Sequence, residues 1–298
     1  LDTYIEKHTS RIALGYTYID KDGMEETQDS HIREVQLVLG ILFGVVIYLF
    51  IFLYCSMVLN SVLEEKTNRI VEVIVSSVKP LQLMAGKIIG VALIGLTQLV
   101  LWVVFTVVIL GVFGLFWHAP DTLNQFLQAS VETDQNMLST FQLSDNSVVN
   151  ALMGINFTQI IVLFIFYFLA GYFLYASMFA AIGAAVDNGT DSQQFVNILS
   201  MPLLLAMIVS SLVTDNPDGL AAFWLSIIPF TSPVSMLMRL PAGPEVVQNW
   251  EILLSCSVLL LTCLLMAWGA AKIYRTGILM YGKKPSYKEL WKWLKYKN

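Results

Sequence analysis

The stretch LEEKTNRIVEVIVSSVKP at residues 63–80 sets charged side chains between two long apolar runs. At roughly 100° per residue, Glu65, Arg69, Glu72 and Ser76 share one helix face, while Leu63, Ile70, Ile74 and Val78 share another. Glu65 and Arg69 stand at i and i+4 in the order that favours pairing, which is worth a few tenths of a kcal/mol in a helix. Pro80 ends the pattern, with Lys79 in its last turn. Such a face does no covalent chemistry. It suits charge-guided docking to a partner, and it equally suits a juxtamembrane helix resting on lipid headgroups.

The remaining polar candidates lie inside the apolar runs: Asn60, Gln98, Thr106, Tyr167, Tyr172, Tyr175, Asn197 and Ser200. Hydrogen bonding between helices explains such residues, and lining a translocation path is the alternative. Gln98, Tyr175 and Asn197 are the path candidates. No Asp, Glu, Lys or Arg sits mid-run, whereas ion-coupled carriers commonly place one there. Backbone carbonyls also bind Na⁺, so a secondary cation antiporter stays open, as does a non-transport membrane scaffold.

Catalytic motifs are missing. GKIIG at 86–90 and GKKPS at 282–286 lack the G-x-x-x-x-G-K-[ST] spacing that cradles phosphates, and there is no H-E-x-x-H or G-x-S-x-G. His8, His31 and His118 are far apart in the chain, and Cys55, Cys256 and Cys263 lie in apolar runs without metal-ligand spacing. No catalytic, cofactor-binding or metal residue is expected. A net charge of −5 argues against a nucleic-acid partner, although the C-terminal tail is locally basic.

The elements that would carry these residues follow from composition. Of 298 residues 56% are hydrophobic and 13% charged, against about a quarter charged in soluble domains, and mean hydropathy is +0.68. Charge is absent from 35–63, 88–120, 146–186, 192–214, 219–238 and 252–271. Each gap approaches or exceeds the ~20 residues that cross a bilayer. The chain reads as an all-α polytopic membrane protein with a transmembrane domain over 36–271. Spans are expected at about 36–60, 87–117, 156–184, 194–214 and 249–271.

The gap at 219–238 is expected to enter the membrane and turn back rather than cross. Pro229 and Pro233 bracket the polar Phe230-Thr231-Ser232, and each proline removes a backbone donor. Irregular backbone at membrane depth survives where protein or a cavity shelters it. Loop charge does not choose between five and six spans: Lys and Arg divide 12 to 5 in both cases, with opposite orientation. The prolines favour five. Residues 61–86 and the tail 272–298 are then cytoplasmic, and 1–35, 118–155 and 215–248 external. The 118–155 loop has no Lys or Arg, and its Leu123, Phe126, Leu127 and Val131 suggest a short interfacial helix. In the tail, Tyr287, Leu290, Trp291 and Leu294 form a stripe opposite Lys288, Lys292 and Lys295, a pattern suited to an anionic leaflet. The polar opening at Leu1 leads to the expectation that an earlier span precedes it.

NSVLEEKTNRIVEVIVSSVKPLQLMAGKIIG (60–90) resembles the membrane subunits of type-2 ATP-binding-cassette (ABC) exporters, especially the sodium-exporter-like NatB permeases. YASMFAAIGAAVDNGTDSQQF (175–195), FWLSIIPFTSPVSMLMRLP (223–241) and GKKPSYKELWKWLKY (282–296) resemble them too. The resemblance implies an ABC type-2 exporter transmembrane fold of six spans, with a large external domain between the first two. This chain then corresponds to spans two to six, with 1–35 the remnant of that domain. It implies that 61–80 is a coupling helix docking on a separate ABC ATPase, with Glu64, Glu65, Arg69, Glu72 and Lys79 as coupling residues. It also implies that 215–245 holds re-entrant helices turning at Pro229, Thr231, Ser232 and Pro233. Two permease copies and two ATPases would form the working unit in a bacterial cytoplasmic membrane. ATP and Mg²⁺ would be bound by the ATPase, and export of an ion, drug, lipid or peptide would follow alternating access.

Overall fold

A computed structural model describes residues 16–19, 25–28, 30–71, 78–116 and 156–280, together with Glu289, Trp291 and Trp293. A short hairpin opens it: β1 (Tyr16–Ile19) and β2 (Glu25–Gln28) pair antiparallel, with Tyr16 opposite Gln28. The other described elements are helical. They are α1 (Ser30–Thr67), α2 (Pro80–Phe116), α3 (Phe157–Ala185), α4 (Gly189–Ile208), α5 (Ser210–Asp215), α6 (Leu220–Ile227), α7 (Ser232–Arg239), a 3-10 turn at Leu240–Ala242, and α8 (Asn249–Gly277).

Among the described residues four helical segments are long and apolar enough to cross a membrane: Val35–Thr67, Pro80–Ile109, Thr158–Ala185 and Asn249–Gly277. They coincide with four of the five expected spans. The stretch expected at 194–214 differs. It is filled by α4, which starts earlier with the polar GTDSQQ, carries Pro202 inside, and breaks at Val209 before α5. Its polar opening turns dilute the apolar character that the other four keep. The expected interfacial helix within 118–155 lies outside the described residues, as does most of the tail stripe.

The chain divides into two compact units. One comprises Leu1–Tyr48, Asn146–Phe168 and Met201–Leu261; the other comprises Leu49–Asp145, Leu169–Ser200 and Thr262–Asn298.

In the first unit the gap at 219–238 is two helices of eight residues each, α6 and α7. At 1.5 Å per residue each reaches roughly 12 Å, well short of a ~30 Å hydrocarbon core. The break follows from Pro229. The Ile228 carbonyl accepts from Thr231 N–H at 3.0 Å and Ser232 N–H at 2.8 Å, and the Thr231 hydroxyl donates to the Leu225 carbonyl at 2.6 Å. Pro233 then falls in the first turn of α7, where a missing N–H costs nothing. Every residue of α7 is buried. Gly40 and Gly44, one turn apart on α1, leave room for the Met238 backbone and side chain; a Cβ on either would overlap them. Phe43 and Phe164 rings lie 6.2 Å apart, and Phe223 meets Trp250 at 5.9 Å.

In the second unit, Ile51, Tyr54, Cys55, Val58 and Val62 are buried along one side of α1, while Leu53, Met57 and Asn60 are exposed. Residues 176–186 of α3 and its end, ASMFAAIGAAV, are all buried. Their small side chains let backbones approach closely. A Cβ at Gly183 would stand 2.9 Å from the Leu59 carbonyl oxygen, and one at Gly277 would stand 3.1 Å from that of Ala184. α1 and α8 therefore both close against the end of α3 through glycine.

Candidate functional site

The charged stretch at 63–80 is not one helix. α1 runs on unbroken from its apolar length through Thr67, so Leu63, Glu64, Glu65 and Lys66 belong to its last turns. Asn68 and Arg69 then form a turn closed by Asn68 N–H to the Glu64 carbonyl and Arg69 N–H to the Lys66 carbonyl, both 3.0 Å. Arg69 has φ 56°, the left-handed conformation that terminates many helices and that glycine or asparagine usually supplies. This turn resets the helical phase, so the face drawn through Glu65 does not continue to Arg69. Glu72 and Ser76 lie outside the described residues. Pro80 starts α2, and residues 72–77 before it lie outside the described residues, so the expected helix end there is not seen. The Lys79 carbonyl accepts from Gln82 and Leu83 N–H at 2.9 and 3.2 Å, opening the new helix. Proline after a C-terminus and proline at a first helical position look alike in sequence.

The expected pairing of Glu65 with Arg69 gives way to a longer-range one. Glu65 Oε2 lies 2.7 Å from Lys87 Nζ on α2, and that ammonium also donates to the Ser61 carbonyl at 2.9 Å and the Ser61 hydroxyl at 3.2 Å. The next residue turns the other way. Lys66 is 1% exposed in its side chain, donates to the Ala184 carbonyl at 2.7 Å, and pairs with Asp187 at 2.9 Å. A buried ammonium needs such compensation. Its position also suits both neighbouring helices. Ala184 offers a last-turn carbonyl of α3, where positive charge is favoured, and Asp187 stands two residues before α4 begins, where negative charge is favoured.

Of the coupling candidates, Glu64, Arg69 and Lys79 are exposed, whereas Glu65 is half-buried and held by Lys87. Lys66, Lys87 and Asp187 were not among the sequence candidates. Their signal was faint: each is a charge just beyond an apolar run, and only the fold shows which charges meet.

The three path candidates have different surroundings. The Tyr54 hydroxyl donates to Gln98 Oε1 at 2.8 Å. Tyr175 is fully buried. Asn197 is exposed and accepts from Gln193, one turn earlier on α4, at 3.0 Å. None of them lines the broad groove formed by the start of α3 and by α8. That groove, of about 610 Å³, belongs to the first unit and is lined by Asn156, Gln159 and Leu163 near the start of α3 and by Asn249, Ile252 and Cys256 of α8. The re-entrant candidates do meet: Pro229, Thr231, Ser232 and Pro233 form the break between α6 and α7 described above.

Residues 9–272 match the ABC-2 family transporter proteins. The chain is 29% identical to the Bacillus subtilis protein YhaP over 245 residues, covering 82% of this chain and 52% of that one. It is 23% identical to the Methanocaldococcus jannaschii protein MJ1024 over 239 residues, covering 80% and 49%. The chain thus spans about half the length of the curated relatives it matches. No solved structure matches it. With a family match over most of its length and several membrane-length helices, this chain belongs to the ABC-2 family of transporter proteins and is a multi-pass membrane protein.

Proposed function

We propose that this chain forms the membrane-spanning core of the permease of an ATP-driven exporter, and that it docks on a separate ABC ATPase through the break between α1 and α2. The observation that supports this most is the exposure of Glu64, Arg69 and Lys79 around that break, while the adjacent Glu65 and Lys66 are tied inward. Outward charges next to an internally anchored turn make a rigid docking feature rather than a loose linker. ATP and Mg²⁺ are held by the ATPase. Closure of the ATPase pair displaces the turn, and the helices re-pack to open a path outward. Two permease copies share the working unit, seated in a bacterial cytoplasmic membrane. The cargo is an ion such as sodium, a drug, a lipid or a peptide. Affinity purification of the whole protein in mild detergent tests the proposal. An ABC ATPase should co-purify in stoichiometric amount and hydrolyse ATP; recovery of the membrane protein with no ATPase contradicts it.

A further inference from the structure

Glu65 and Lys66 are consecutive, so their side chains leave α1 roughly 100° apart. Each ends on a different helix of the same unit: Glu65 on Lys87 of α2, Lys66 on the end of α3 and on Asp187. We propose that this pair of residues is a two-armed clasp that carries displacement of the exposed 67–69 turn into α2 and α3, with Lys66, Lys87 and Asp187 as positioning residues for coupling. The inference rests on the exporter reading above.

Three features argue for transmission rather than a generic surface ion pair. The Lys66 arm is sealed from solvent and doubly bonded, so it cannot swing free without stranding a charge. The clasp sits directly beside the close contact of Gly183 with the Leu59 carbonyl and Val62, where no intervening side chain can absorb a shift. The Lys87 arm grips α1 twice, at Glu65 and at Ser61 one turn earlier, so α2 follows the end of α1 through two points. Tyr274 of α8, buried to 0% exposure, lies within electrostatic reach of Glu65.

The test uses the whole permease purified with its ATPase, with Cys55, Cys256 and Cys263 replaced by serine and a reporter cysteine at the exposed Gln82 in the first turn of α2. Labelling of that cysteine by a maleimide is timed with and without ATP plus vanadate. The charge reversals Glu65→Lys and Lys87→Glu are compared with the double swap, and ATPase retention and melting temperature are recorded for each. The expected result is an ATP-dependent change in labelling rate that falls by about fivefold or more in each single reversal with the ATPase still bound, and returns in the double swap. Single reversals that keep the full ATP-dependent change overturn the clasp, as does a swap that matches the parent in melting temperature yet stays uncoupled. If the swap does not assemble, Lys87→Gln decides: a normal response overturns the proposal and a loss of response with the ATPase bound supports it. Absence of ATPase from the unmutated preparation instead refutes the exporter reading on which the clasp depends.

Discussion

Arg239, the last residue of α7, places Nη2 3.0 Å from Glu251 Oε2 in the first turn of α8, with side-chain exposures of 1% and 10%. Its Nε also donates to the Pro217 carbonyl at 2.7 Å. The pair fastens the short α6–α7 hairpin to a membrane-length helix. Removing one partner strands the other in a sealed site, at a cost of about 3–5 kcal/mol, whereas replacing both with apolar residues costs much less. Arg239→Met should therefore lower the melting temperature sharply, and Arg239→Met with Glu251→Leu should recover much of the loss. Equal melting of the single and double variants would show that the ion pair contributes little.

Gly40 and Gly44 make a contrast within one helix face. Gly40 faces the Met238 backbone oxygen and Gly44 the Met238 side chain. A flexible thioether can move and a carbonyl fixed in α7 cannot. Overpacking of this sort costs about 1–3 kcal/mol. Gly44→Ala should be rescued by Met238→Ala, and Gly40→Ala should not. Thermal melts of the four variants check this; rescue of both would contradict the close backbone approach.

Arg69 separates folding from docking. Its left-handed φ of 56° suits glycine better than arginine, so Arg69→Gly should leave stability unchanged or raise it by about 1 kcal/mol. Arg69→Val should lower it, since a β-branched side chain resists that conformation. Both remove the exposed charge. Equal melting temperatures for Gly and Val would refute the turn geometry.

The course of α4 and α5 is open to a direct topology measurement. Single cysteines at the exposed Asn188 and Asp218 flank them. If the two helices together complete a crossing, an impermeant maleimide added to intact cells labels only one of the two. Labelling of both from the same side would remove the expected span at 194–214.

Much of the fold was legible because crossing a membrane imposes length and apolarity on consecutive residues. Four expected spans are membrane-length helices, and Pro229 with Pro233 announced the break between α6 and α7. The coupling stretch was read less well, for identifiable reasons. Arginine is an unusual residue in a left-handed turn, so nothing in the sequence marked the end of α1 at Thr67. Glu65 has a plausible local partner in Arg69, but its actual partner, Lys87, is brought near only by packing of α2 on α1. Local periodicity cannot see such a choice, because it is decided by burial.

The decisive measurement is ATPase retention by the whole protein when Glu64 and Arg69 are reversed together, as Glu64→Lys with Arg69→Glu. Both side chains are exposed, so the melting temperature should stay close to that of the parent. Docking through the α1–α2 break predicts that the stable variant loses its ATPase subunit and its ATP-driven activity. A variant that folds, keeps the ATPase in full amount and still couples hydrolysis to export would contradict that role for the break.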